Sequence, residues 1–307
     1  SIDPSVYVET AAKLMKGNNE SNIDFDVDNE LIQKGQTTGA RINAWEGTQD
    51  MSQATWNGGT AAAGGYVYRV GGSTGPTKTQ IVDSRQSLAG SNTSSFIMDM
   101  PTTSPAGDLY IAVMCHDGSN GSNVTAPSGG GWTEYADLQG FAAYYKIGTD
   151  EGSGNEATQY TWTKTGGTEE WAGTIMRITG FDSTDPVSGT PGTGSSGSST
   201  VPVFPATTPD NDATLVVRAT GFDQDNPSAT GWVPGGHTKI GSSSSSGGGN
   251  NSCGYAAASL DTPPLSGVST GTQTLVNDGS ISDDYGAASI AINPASTTSA
   301  VQNTVYW

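Results

Sequence analysis

Between about Gln80 and Pro294 the chain alternates short apolar runs with clusters of Gly, Asn, Asp and Ser. Within the runs, apolar and polar residues change places every second position or stay apolar throughout. That is the spacing of strands with one or two buried faces, not of amphipathic helices. The pattern predicts strands near Ser95–Met100, Asp108–His116, Trp132–Asp137, Phe141–Lys146, Thr158–Thr163 and Trp171–Ile178. A second set is predicted near Val201–Phe204, Ala213–Thr220, Gly231–Ile240, Gly254–Leu260, Gln273–Asn277 and Tyr285–Ile292. Short strands joined by turn clusters, without intervening helices, point to sandwiches or jelly rolls.

The two sets echo each other in order. Gly107-Asp108-Leu109-Tyr110-Ile111-Ala112-Val113 is matched by Asn211-Asp212-Ala213-Thr214-Leu215-Val216-Val217. Pro127-Ser128…Gly131-Trp132 is matched by Pro227-Ser228…Gly231-Trp232, and Phe141-Ala142-Ala143-Tyr144 by Tyr255-Ala256-Ala257-Ala258. Glu170-Trp171-Ala172-Gly173 is matched by Asp284-Tyr285-Gly286-Ala287. A module has been copied, and the shared residues are scaffold types. The expected architecture is mainly β: two tandem β-sandwich or jelly-roll-like repeats, 80–182 and 201–294. A Pro/Gly/Ser/Thr-rich linker, 183–200, joins them, and a polar tail, 295–307, follows. The pattern leaves open whether the halves form two sandwiches or one.

Residues 1–79 read as an attachment region with a short helix and a Gly-rich arm. Asp3 can cap, Pro4 suits the first turn and Gly17 stops a helix over 3–17. Val8, Ala11, Ala12 and Met15 fall on one face of it and are candidate assembly contacts. Ile23–Asp28 alternates apolar and acidic residues, as a half-buried strand does; its carboxylates lack the Gly-containing loop of a calcium hand. The Ser/Gly tract 241–251 reads as a loop.

Charge narrows the partners. With 30 Asp+Glu against 12 Lys+Arg, the net charge is −18. Nucleic acid and anionic membranes are bound through Lys and Arg, so neither is an expected partner. No apolar stretch approaches the roughly 18 residues of a spanning helix. Ser1-Ile2-Asp3-Pro4 shows no leader pattern, and initiator-Met removal is the expected origin of Ser1.

Candidate chemistry mostly dissolves on inspection. Gly192-Thr193-Gly194-Ser195-Ser196-Gly197 spells a dinucleotide fingerprint but has no following helix to hold a pyrophosphate. Gly71-Gly72-Ser73-Thr74-Gly75 spells a nucleophile elbow, but Pro76 follows where a helix should begin. His116 and His237 are separate, and the histidines and cysteines lack zinc-ligand spacing. Glu169-Glu170 and Asp283-Asp284 are read as turn charges, because adjacent strand residues face opposite ways. No catalytic, cofactor or metal residue is expected. Trp132 and Trp232 recur at one repeat position and are expected to pack in the core or a turn. Trp45, Trp56 and Trp162 are candidates for a sugar-stacking face. A disulfide between Cys115 and Cys253 is allowed but not required by the sequence.

Gly107–Val113, Pro127-Ser128…Gly131-Trp132, Ala143–Lys146, Tyr160-Thr161-Trp162, Ala172–Met176 and Gly180-Phe181-Asp182…Asp185-Pro186 together resemble a β-sandwich module. Such modules occur in tailed-phage virion proteins and as accessory modules of secreted bacterial proteins. The likeness spans about Gln80–Pro294 and leaves out residues 1–75. It implies a non-enzymatic virion structural protein: a capsid decoration, head fibre or tail-associated protein, without cofactor. It would dock through its N-terminal region, contact other virion proteins and copies of itself, and touch a host-surface glycan. The alternative is an extracellular carbohydrate-binding or adhesin module.

Overall fold

In the computed structural model the chain divides into two compact units, residues 1–75 with 297–307 and residues 76–296. The structure describes 78–118, 124–152, 154–199, 202–212, 215–223, 233–245, 252–275 and 283–295, with the backbone of two short strands. Those strands, β1 (Ile23–Phe25) and β2 (Leu31–Gln33), pair antiparallel. The predicted strand over 23–28 is therefore seen in its first half. The helix over 3–17, with Val8, Ala11, Ala12 and Met15, lies outside the described residues, as do Trp45 and Trp56.

The 76–296 unit is mainly β, and its named strands pair antiparallel. They are β3 (Gln80–Thr93), β4 (Ser95–Asp99), β5 (Leu109–His116), β6 (Val124–Thr125), β7 (Thr133–Leu138), β8 (Phe141–Ile147), β9 (Gln159–Lys164) and β10 (Glu169–Thr179). The second half gives β11 (Gly192–Ser199), β12 (Val203–Phe204), β13 (Leu215–Phe222), β14 (His237–Ser244), β15 (Gly254–Leu260), β16 (Gln273–Thr274) and β17 (Asp283–Ile292). One five-stranded sheet has the order β3-β10-β5-β8-β7, and the other has β11-β17-β13-β15-β14. The orders match strand for strand. A three-stranded sheet, β4-β9-β6, accompanies the first and a two-stranded sheet, β12-β16, the second.

Leu109, Ile111, Val113 and Cys115 of β5 share a core with Leu215, Val217 and Ala219 of β13, so the large sheets pack face to face. Tyr110, Ala112 and Met114, on the opposite face of β5, share a core with Phe96, Met98 and Trp162 of the small sheet. The second large sheet likewise covers Phe204 and Leu275 on its outer side. A strand in an inner layer has no solvent face, and all eight residues of β5 are buried. That is why 109–115 reads as an unbroken apolar run.

The interface between the large sheets is reciprocal. β7 touches β17 while β14 touches β10; β8 touches β13 while β15 touches β5; β7 touches β11 while β14 touches β3. Such exchange of equivalent partners is the signature of a two-fold axis, here an approximate one within a single chain. Strand pairing also refines the first echo. Leu109 opposes Ile178 as Leu215 opposes Ile292, so Leu109 corresponds to Leu215 rather than Ala213. The shift of two places preserves which residues face inward.

Two expectations change. The linker over 183–200 contains β11, which pairs with β17 along its length. The preceding segment is pinned by buried Asn293, whose Nδ2 donates to Asp185 O at 2.8 Å and Val187 O at 3.2 Å. Gly241–Ser244, inside the expected loop 241–251, belongs to β14. The strand β3 was not foreseen either. It lies at a sheet edge and is largely exposed, so its sequence carries little apolar alternation.

Candidate functional site

In the first repeat, β8 alternates so that Ala142 and Tyr144 face the outer core. Lys146 falls on the same face. Its Nζ lies 2.7 Å from Glu156 Oε2, with both side chains 0 % exposed. It also donates to Tyr160 OH at 2.8 Å, and that hydroxyl donates to Glu156 Oε1 at 2.5 Å. The ammonium sits 4.7 Å from the Tyr160 ring centre and 5.8 Å from that of Trp132. Trp132 meets Tyr160 and Trp162 edge-on at 5.5 and 5.2 Å. Burial pushes the Glu156 carboxyl up, but hydrogen bonds from Lys146, Tyr160 and the Thr149 amide, with the Lys146 charge, outweigh it. The group is held below its ordinary value and stays ionised. The same carboxylate drives the Tyr160 phenol upward, after burial as the leading cause. The arrangement is a closed, mutually satisfied ion pair in an aromatic setting.

The second repeat places a cation in the corresponding layer without its carboxylate. Glu156 N donates to Ser104 O, and Thr270 N donates to Thr207 O, so Thr270 takes the place of Glu156. Arg218 of β13 is 1 % exposed. Its Nη2 donates to Thr270 O at 3.1 Å and Gly271 O at 2.9 Å, while Nε and Nη1 have no partner among the described residues. Burial lowers its pKa.

The third polar group lies between the large sheets, at the ends of β5, β10, β15 and β17 and in the turns beside them. Ser245 Oγ donates to Glu170 Oε2 at 2.7 Å and accepts from Cys253 N at 3.0 Å. Gln139 Nε2 donates to Asp284 Oδ2 at 3.4 Å, the matching contact from the other repeat. Gly118 N donates to Asp223 Oδ1 at 2.7 Å. Cys115 Sγ and Cys253 Sγ are 2.8 Å apart, both buried. Burial raises the Cys253 thiol well above its ordinary value, and Cys115 adds to the shift. His116 packs 5.4 Å from Trp171, as Phe222 packs 6.4 Å from Tyr285 in the other repeat. Neither ring nitrogen of His116 has a partner among the described residues, and burial pushes its pKa down to about 3. The ring is neutral and takes the place of a phenyl group.

These positions correct part of the sequence reading. Trp162 is fully buried between the first large sheet and its small one, so it presents no face to a sugar. Its apolar neighbours on β4, β5 and β8 explain why the pleat turns it inward. Trp132 is half-buried against the same core. Glu170 and Asp284 are buried at the sheet interface instead of being solvated turn charges. Glu169 does lie at a strand end, 2.7 Å from Lys164. The Lys146–Glu156–Tyr160 group was missed, although a lysine in phase with Ala142 and Tyr144 is a legible sign of a buried cation. The described residues contain no cluster of three or more His, Cys, Asp or Glu arranged for a metal. No protein-family model matches the chain, and no curated protein or solved structure matches it.

Proposed function

We propose that this chain is a non-enzymatic structural protein of a tailed-phage particle: a capsid decoration, head fibre or tail-associated protein. It docks through residues 1–79 and projects two jelly-roll-like repeats fused into one rigid block. The observation that carries the reading is the use made of interior polar groups. Lys146, Glu156 and Tyr160 tie a large sheet to its outer layer, and the Ser245–Glu170 and Gln139–Asp284 bonds tie the large sheets together. Such investment suits a part that must resist deformation, and the module resemblance agrees with it. Association with further copies is supported by apolar side chains left in the open on two consecutive strands of different sheets: Val82 and Leu88 of β3 and Ile97 of β4.

The test is peptide mass spectrometry of purified particles, with immunogold labelling. The chain should co-purify at fixed stoichiometry, and deleting residues 1–17 should abolish incorporation while the 76–296 unit stays folded. Absence from particles, with tight binding of a defined glycan, would replace this reading with the adhesin one.

A further inference from the structure

We propose that Cys115 and Cys253 are the two ends of an intramolecular disulfide that staples the first large sheet to the second. The sulfurs lie 2.8 Å apart although 138 residues separate them in sequence. Each belongs to a different repeat, and both are fully buried in the shared core.

The approach is built into the fold around them. Pairing of Cys115 with Phe141, and of Gly221 with Tyr255, makes Gly221 the counterpart of Cys115 in the second repeat. The two counterparts face each other near the pseudo-two-fold axis. A Cβ on Gly221 would lie 2.9 Å from Cys115 Cβ, so the missing side chain is what brings the second sheet onto this cysteine. Cys253 corresponds to Gln139, not to Cys115, and reaches Cys115 because the axis brings unlike positions together. Packed sheets are normally about 10 Å apart; the glycine narrows the gap where a two-sulfur link must span it.

The chemistry is a two-electron oxidation by thiol–disulfide exchange. The oxidant is a disulfide, either oxidised glutathione or the disulfide of a protein oxidase. One cysteine thiolate attacks it, forming a mixed disulfide and expelling one thiolate of the oxidant. The second cysteine thiolate then attacks the protein sulfur of that mixed disulfide, closing the Cys115–Cys253 bond and expelling the second. The chain loses two protons and two electrons, and the oxidant leaves as two thiols. In the closed core no oxidant can reach either sulfur, and burial disfavours the Cys253 thiolate. Exchange therefore occurs before the two sheets close, and the finished bond is shielded from reductant. The thiol or disulfide state then records the redox setting in which the chain folded, independently of the proposed role.

The test uses the full chain, reduced and denatured, then refolded in a glutathione redox buffer. After quenching with iodoacetamide and digestion without reductant, mass spectrometry should find the Cys115 and Cys253 peptides joined and lighter by two hydrogens. The product should be monomeric on a non-reducing gel and resist dithiothreitol until denaturant is added. Its melting temperature should exceed that of the Cys115→Ala/Cys253→Ala variant by about 5–15 °C. If the monomer shows native circular dichroism but carries carbamidomethyl or glutathione groups on both cysteines, the staple does not exist. The double variant, if folded, supplies the same check through an unchanged melting temperature.

Discussion

Replacing Gly221 by alanine adds one methyl group at the centre of the sheet interface, and the sign of its effect is diagnostic. The backbone of Gly221 lies outside the left-handed region, so alanine brings no conformational strain. At an open strand position the change would stabilise by about 0.4–1 kcal/mol through the unfolded chain. Here the new Cβ would meet Gly140 O at 2.6 Å, Cys115 Cβ at 2.9 Å and Phe141 Cβ at 3.1 Å. All three belong to the facing sheet or its β7–β8 turn and are backbone or directly attached to it, so none can swing away. The sheets must part locally by a large fraction of an ångström. That forfeits a quarter to a half of each affected contact, and overpacking of this kind costs about 1–3 kcal/mol. The net expectation is a loss of about 1–2 kcal/mol, or a melting temperature lower by about 2–8 °C. Urea unfolding followed by tryptophan fluorescence measures it, with Gly194→Ala as control; there the nearest atom is Pro205 Cβ at 4.0 Å. Gly221→Ala as stable as the parent, or more so, would refute face-to-face packing at this point.

Three further outcomes are expected. Lys146→Met should destabilise by about 3–5 kcal/mol in urea because it strands buried Glu156, while Arg218→Met, which strands no carboxylate, should be neutral or stabilising. His116, whose pKa falls to about 3 on folding, binds its proton more readily when unfolded. Its contribution is therefore full above about pH 6.5 and shrinks by about 4–5 kcal/mol as pH falls to about 3. Calorimetry of His116→Phe, which copies Phe222, should lack that component of acid sensitivity. Trp162→Ala should cost about 3–5 kcal/mol, given full burial; a near-neutral unfolding curve would place the ring at the surface.

Strands with a buried face were legible, and Gly254–Leu260 was placed to the residue. β3 and β11 were not, because largely polar edge strands carry little apolar alternation. The unbroken apolar run at 109–115 did signal burial, but whether the second face met a small sheet or the other repeat depends on the pseudo-two-fold axis. No local pattern encodes that axis. The same axis hid the polar seam: Glu170 looks like a turn charge until Ser245, 75 residues away, is brought to it. Trp162 was misjudged because alternation fixes that a side chain shares a face with Tyr160, not which layer covers the face.

The most direct test of the packed double sheet is a nuclear Overhauser contact between the Cys115 Hβ and Gly221 Hα protons in labelled protein. The packing places these groups within van der Waals reach, so a strong cross-peak is expected, with methyl contacts from Val113 to Val217 beside it. No cross-peak, together with fast hydrogen exchange along both β5 and β13, would mean that the two large sheets do not share a core.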